Sequence, residues 1–333
     1  KFVLDKWQPG TKMVFEKFAD YVPRSEPASN VSGGKNVNID RVEWLAMPDP
    51  LQAANALMGG EIDFLEQPPH DLVPLLKGEK SITIANIDEI GNQVLLRPNH
   101  LHPPFNNPKV REVLWYALNQ SEILAATIGN KDYYRTCLAM FGCGTRLESF
   151  AGTDGKGFLA GNVEKAREML KASGYNGEPV IIMSPTDHPI LSKIGPVIKQ
   201  ELEQVGFKVE LRFLDWQTLS TARLDKAPGK WSLFPTYIAA TDLTPTLAFV
   251  NMDCKTSEFG WPCEDDMKGL QLAYAKAATP EAQKIAAENI QKFAIKTSPY
   301  YFLGQFTLPS AISNRIKDVV KGPIPVFWNM KLN

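Results

Sequence analysis

Four cysteines and four histidines are the side chains with the most obvious chemistry in this 333-residue chain. The cysteines form two local pairs, Cys137 with Cys143 and Cys254 with Cys263, and no histidine stands near either pair. Neither spacing is the C-x₂-C of zinc sites and redox motifs. Two short-range disulfides are the simplest reading, each stabilising by about 2–3 kcal/mol through the unfolded state. Four free, buried thiols are the alternative. Disulfides would place the chain outside the cytoplasm. His100 and His102 would share one face of a strand, but Asn99 and the prolines around them mark a solvated loop rather than a metal site. Glu264-Asp265-Asp266 reads as the acidic start of a helix carrying Met267 and Leu270, where the macrodipole favours carboxylates.

Gly155-Lys156-Gly157-Phe158-Leu159-Ala160 fits a loose dinucleotide pattern, yet it follows Thr153-Asp154 and not a strand. No G-x-S-x-G elbow, P-loop or H-E-x-x-H motif is present. No catalytic constellation, metal or cofactor is therefore expected. Asp242 is of more interest. It ends the apolar segment that begins at Tyr237 and precedes Pro245. Carboxylates at strand ends of α/β sheets commonly face a cleft, although a turn cap is the simpler role. Trp216, Trp231, Phe234, Tyr237 and Trp261 form an aromatic group in the same half.

Composition bounds the class of protein. Thirty-six basic residues against 37 acidic ones leave a net charge of −1, which argues against nucleic-acid binding. The chain has no apolar run of the roughly 18 residues that a membrane helix needs. Its 10% aromatic content can build a sizeable core, and the length suggests about two domains. Lys1-Phe2-Val3-Leu4 has none of the features of a leader peptide. That fits a cytoplasmic chain, a mature secreted one, or a piece of a longer one.

The periodicities supply the elements. Phe2–Leu4 and Met13–Phe15 flank the turn Trp7-Gln8-Pro9-Gly10 and predict a hairpin. A strand is expected within 37–47, a helix over 51–58, and short strands near 61–64, 81–86 and 93–97. Asn107-Pro108 starts a helix with Val110, Val113, Leu114, Ala117 and Leu118 on one face. Residues 129–160 read as irregular. Strand 180–183, helix 190–205 and the alternating strand 207–213 make a βαβ unit, which predicts parallel pairing. Thr279-Pro280 caps a further helix, followed by strands near 300–303 and 306–311.

Several motifs in a fixed order carry a resemblance. They are Trp7-Gln8-Pro9-Gly10 through Phe18 and Tyr21; Gln52–Leu57 with Gly60-Glu61-Ile62-Asp63; Asn99, Pro104-Phe105 and Lys109-Val110-Arg111 through Asn119; Val163–Arg167 to Gly174-Tyr175; and Leu202 with Gly206–Leu211. Nearly end to end, the chain resembles the extracytoplasmic solute-binding proteins of peptide/nickel-type ABC transporters. Asn119 stands where that family usually has aspartate.

The resemblance implies an α/β, periplasmic-binding-protein-like fold of two lobes (type II, large peptide-binding class), with mixed sheets flanked by helices. It implies that Lys1 corresponds to an internal position of the family chain. Residues 1–96 with 301–333 would be part of lobe one and 97–300 lobe two, with a hinge near Arg97–Asn99 and Pro299–Leu303. The implied protein is a periplasmic monomer, not an enzyme, that closes on a solute between its lobes and hands it to an ABC transporter permease. A peptide or peptide-like ligand is expected first; a glycan, metal chelate or aromatic compound is the alternative. By the same resemblance Asp242 would pair with a ligand amine, although Leu243 departs from the family's usual neighbour. Tyr237 and Trp231 would wall the site, and Cys143 and Gly144 would lie in a loop that approaches it, stiffened by the bridge to Cys137.

Overall fold

A computed structural model describes residues 2–29, 31–153, 160–246, 251–257 and 259–333. Residues 155–159 of the dinucleotide-like stretch lie outside the described residues. The chain divides into two compact units, Lys1–Glu89 with Thr307–Asn333, and Ile90–Phe306.

The smaller unit begins with the expected hairpin, β1 (Phe2–Gln8) and β2 (Lys12–Lys17), to which β3 (Arg41–Leu45) adds antiparallel. The two-residue period sorts the faces. Met13 pairs with Trp44 and Phe15 with Val42 on one side. On the other, Arg41 bridges Glu16 at 2.9 Å and Glu43 at 2.6 Å. Helix α1 (Pro50–Met58) starts where the Asp49 carboxylate accepts from Gln52 N at 2.9 Å, with proline in the first turn. It buries Ala53, Ala54, Ala56 and Leu57. The short elements β4 (Phe64–Leu65), α2 (Val73–Lys77) and β5 (Ile82–Ala85) follow.

The larger unit is organised on β6 (Asn92–Pro98), whose Val94, Leu95 and Leu96 are wholly buried. Each such side chain stabilises by roughly 1.5–3 kcal/mol. Helix α3 (Pro108–Ala117) is capped by Asn107 as expected, and it buries Arg111, whose guanidinium donates to Phe105 O at 2.8 Å and Thr297 O at 3.2 Å. Helix α4 (Gln120–Ile128) was not legible in the periodicity, because Gln120 and Thr127 occupy its buried face. Asn119 caps it by accepting from Ser121 N and Glu122 N, the task an aspartate would perform. Its own N–H donates to Glu201, whose buried carboxyl is pushed up to about 8 by desolvation. The Asn119 side-chain amide also donates to the Glu122 carboxylate at 2.9 Å, a bond that an aspartate carboxylate could not make.

Then come β7 (Tyr134–Arg135), α5 (Val163–Ala172), β8 (Pro179–Pro185), α6 (Ile194–Val205), β9 (Lys208–Leu214), α7 (Trp216–Ala222), β10 (Leu233–Ala239), α8 (Asp266–Lys276), α9 (Pro280–Thr297) and β11 (Tyr301–Phe306). The sheet order is β7-β11-β6-β10-β8-β9. Strands β8 and β9 are parallel from Pro179↔Lys208 to Pro185↔Leu214, as the βαβ reading requires. The chain re-enters the smaller unit as β12 (Ser310–Ser313), which lies between β4 and β5. Ala311 there joins Ala54, Leu57, Leu76 and Ile82 in the core. The strands β13 (Ile316–Lys317) and β14 (Lys331–Leu332) close the chain.

Of the residues expected at the hinge, Arg97, Pro98 and Tyr301–Leu303 lie in strands of the larger sheet. Strand β6 pairs on one side with β10 and on the other with β11, so Arg97, Tyr301 and Phe302 are held in the ladder and buried. The compact units divide instead after Glu89 and after Phe306.

Candidate functional site

Strands β8, β9, β10 and β11 of the larger unit all point one way, since β6 is antiparallel to both β10 and β11 and β8 is parallel to β10. Their carboxyl ends therefore gather at one edge, the usual place for a ligand in an open α/β sheet. His188 follows β8, Trp216 follows β9, Tyr237 lies near the end of β10, and Phe306 ends β11. The rings touch. Tyr237 is edge-on to Phe306 at 5.2 Å and to His188 at 5.5 Å, and His188 is edge-on to Trp216 at 5.9 Å. His188, Trp216 and Tyr237 are all half-buried. Partial burial raises the Tyr237 phenol above its ordinary value. The same cause lowers the His188 imidazole, with Asp187 pulling weakly the other way.

Asp242 stands exposed on the single turn of 3₁₀ helix, Ala240–Asp242, that follows β10. The loop closed by Cys137 and Cys143 lies against the same turn: a Cβ on Gly142 would meet the Ala240 Cβ at 3.0 Å. Both expected disulfides are formed. Within the first loop four buried glutamines satisfy the backbone. Gln120 accepts from Cys137 N at 2.8 Å and donates to Cys137 O at 3.0 Å. Gln93 donates to Ala139 O at 2.8 Å, and Gln291 accepts from Met140 N at 2.9 Å. Gln305 accepts from Cys143 N at 2.5 Å. Gly144 leaves this ring exposed, at φ +82, with its N–H donating to Glu148 at 2.9 Å. A Cβ there would sit 3.0 Å from the Arg135 guanidinium.

Three of the four predicted site residues, Tyr237, Asp242 and Gly144, thus belong to the strand-end region. Trp231 does not. It precedes β10, at the end of that strand away from Tyr237, and is 2% exposed among Met183, Leu219 and Phe234, with Trp261 at 5.8 Å. Its large apolar ring contributes to the core rather than to a wall. The sequence reading passed over His188 and the glutamines. His188 was findable from its place in Pro185-Thr186-Asp187-His188-Pro189, just after the first strand of the βαβ unit. A buried glutamine leaves no such signal. His100 and His102 hydrogen-bond separate backbone carbonyls, of Ser298 and Lys226. Among the described residues no group of three potential metal ligands occurs.

Comparison with known proteins gives the family. Residues 1–260 match the model of the bacterial extracellular solute-binding proteins, family 5, middle region. A probable peptide ABC transporter periplasmic-binding protein of Sinorhizobium fredii is 32% identical over 99% of this chain, which spans 64% of that relative's length. The glutathione-binding protein of Escherichia coli is 28% identical over 64% of this chain and 38% of its own. The chain belongs to the family 5 extracellular solute-binding proteins. Among solved structures, the ABC transporter substrate-binding protein CtaP of Listeria monocytogenes aligns over 99% of this chain and 66% of its own, at TM-score 0.81 and 18% identity. A dipeptide-binding protein from Pseudoalteromonas in complex with Met-Leu aligns over 100% and 64%, at TM-score 0.76 and 15% identity. At such identities the likeness is one of fold.

Proposed function

We propose that this chain is the greater part of a periplasmic, monomeric solute-binding protein that takes up a peptide or peptide-like molecule and presents it to an ABC transporter permease. The larger unit would be one complete lobe and the smaller unit part of the other. No step of chemistry is assigned to it: the ligand is held and released unchanged.

The observation that carries this reading is the convergence of Asp242, Tyr237 and the Gly144 loop on the carboxyl ends of one sheet. The exposed carboxylate suits a ligand ammonium, and the half-buried rings suit apolar side chains. The glutamine-held loop needs no reordering when a ligand arrives, so little entropy is lost there. The peptide, glutathione and dipeptide ligands of the Sinorhizobium, Escherichia and Pseudoalteromonas proteins support a peptide ligand.

The test is calorimetric titration with Met-Leu, glutathione and their N-acetylated forms. Binding of the free-amine peptides is expected, with Asp242→Asn weakening it about 10-fold. Acetylation should weaken it similarly in the parent protein and have little further effect in the variant. Unchanged affinity of Asp242→Asn for every peptide that binds would remove Asp242 from the site.

A further inference from the structure

The orientation of one proton at the strand ends can be deduced from its neighbours. Ile190 N lies 3.3 Å and Leu191 N 3.4 Å from His188 Nδ1, and both N–H groups donate to it. A ring nitrogen that accepts carries no proton, so the one proton of the neutral imidazole is on Nε2. Nε2 is 3.5 Å from the Tyr237 hydroxyl. With the donor on the imidazole, the phenol oxygen accepts, and the hydroxyl proton must point elsewhere. Among the described residues Tyr237 Oη has no other partner.

We propose that His188 is a positioning residue for the ligand: by donating to Tyr237 it makes the phenol an outward hydrogen-bond donor, so the bound solute presents an acceptor oxygen, a carboxylate or amide carbonyl, to Tyr237. The inference rests on reading the strand ends as the ligand site. It narrows the ligand to molecules carrying such an oxygen beside an apolar group that can lie on the rings of Trp216 and Tyr237. A ligand offering only donors at this point would leave the outward phenol proton without an acceptor, which costs a desolvated polar group its partner.

The experiment is a double-mutant cycle with Tyr237→Phe and His188→Asn. Asparagine at 188 keeps an oxygen that can accept from the Ile190 and Leu191 N–H groups but does not reach Tyr237. Affinity for Met-Leu, glutathione and an equimolar synthetic tripeptide mixture is measured by calorimetry, and the tautomer of His188 in the free protein by ¹⁵N NMR. The expected results are a protonated Nε2, a loss on the order of 10-fold for Tyr237→Phe, and a loss for His188→Asn that vanishes in the Tyr237→Phe background. A merely structural role of His188 would give the same loss in both backgrounds and overturn the proposal. So would a proton on Nδ1, or a Tyr237→Phe variant that binds as tightly as the parent. Those outcomes leave the ligand site itself standing, whereas a parent protein that binds none of the probes overturns both.

Discussion

The larger unit contains two disulfide-closed loops, and they are held in opposite ways. Cys137 and Cys143 are 1% and 7% exposed, and amide side chains from β6, α4, α9 and β11 meet the backbone between them. Cys254 and Cys263 are exposed. Near the second pair the polar contacts are local, with Asn251 and Asp253 binding the backbone of residues 253–256. The same covalent bond therefore completes a buried loop braced by amide side chains in one place and ties a solvated turn in the other. Chain entropy alone ranks them the other way, since the wider ring, with a separation of 9 against 6, restricts the unfolded chain slightly more. Environment, not ring size, should decide which loop matters more.

The sharpest test removes an amide. Gln120→Ala would strand Cys137 N, Cys137 O and Phe302 O in a dry interior. Each unpartnered buried group costs about 1–3 kcal/mol, so a loss of about 4 kcal/mol is expected. Asn251→Ala frees groups that water can reach, and a loss of no more than about 1 kcal/mol is expected. Urea unfolding of both variants, read at constant m-value, decides whether the contrast is real.

A second substitution tries to break the contrast from the other side. The last part of the second loop is not loose. Gly260, at φ +110, lies so close to β6 that an added Cβ would be 2.1 Å from Pro98 O, and its own carbonyl accepts from His100 N at 2.8 Å. Phe259 and Trp261 beside it also adopt positive φ, a cost that only firm packing sustains. Gly260→Ala should cost about 3 kcal/mol, because backbone cannot step aside. Gly144→Ala should cost only about 1 kcal/mol, since the obstructing atom ends a flexible arginine side chain. Equal thermal shifts for the two variants would show that the second loop is anchored no better at 259–261 than the chain is just past the first.

Reduction separates the bridges more gently. Dithiothreitol should open Cys254–Cys263 in the folded protein, whereas Cys137–Cys143 should resist until the unit unfolds. Replacing each pair by alanine should cost about 2 kcal/mol for the exposed bridge and about 3 kcal/mol for the buried one. Mass spectrometry of alkylated protein at increasing urea follows the order of release. Simultaneous release would put both loops on the same footing.

These loops also mark how far the sequence could be read. The cysteine pairings were legible because each partner is a near neighbour in the chain. The βαβ unit was legible because β9 alternates strictly and α6 has a clean apolar stripe. Asp242 and Tyr237 could be placed at a strand end from Pro245 and the apolar run before them. Trp231 was misplaced because its ring type suits both a wall and a core, and only its position before β10 separates the two. The glutamines of the first loop were invisible for a deeper reason. Glutamine is common on surfaces, and its burial here is set by carbonyls that the fold brings from 17 to 182 residues away.

The smallest expected effect concerns pH. Between Cys137 and Cys143 the side chains that accept backbone protons are amides and the disulfide-bonded Cys137 sulfur, none of which titrates. In the second loop the acceptor is the Asp253 carboxylate, bonded to Lys255 N at 2.9 Å and Thr256 N at 3.1 Å. These bonds, that to Lys255 first, and the nearby Lys268 ammonium hold Asp253 below its ordinary value. A carboxyl lowered on folding stabilises above its unfolded-state value, and the contribution fades as pH falls through the folded-state value. Below about pH 4 the Lys255 and Thr256 amides should exchange faster relative to their intrinsic rates than at pH 6, while those of Cys137 and Cys143 keep their protection. Asp253→Asn keeps an acceptor without the charge, and it should abolish the acid dependence while leaving the loop closed. If the parent and this variant lose protection at the same pH, the second loop is not held by a carboxylate, and its difference from the first lies in burial alone.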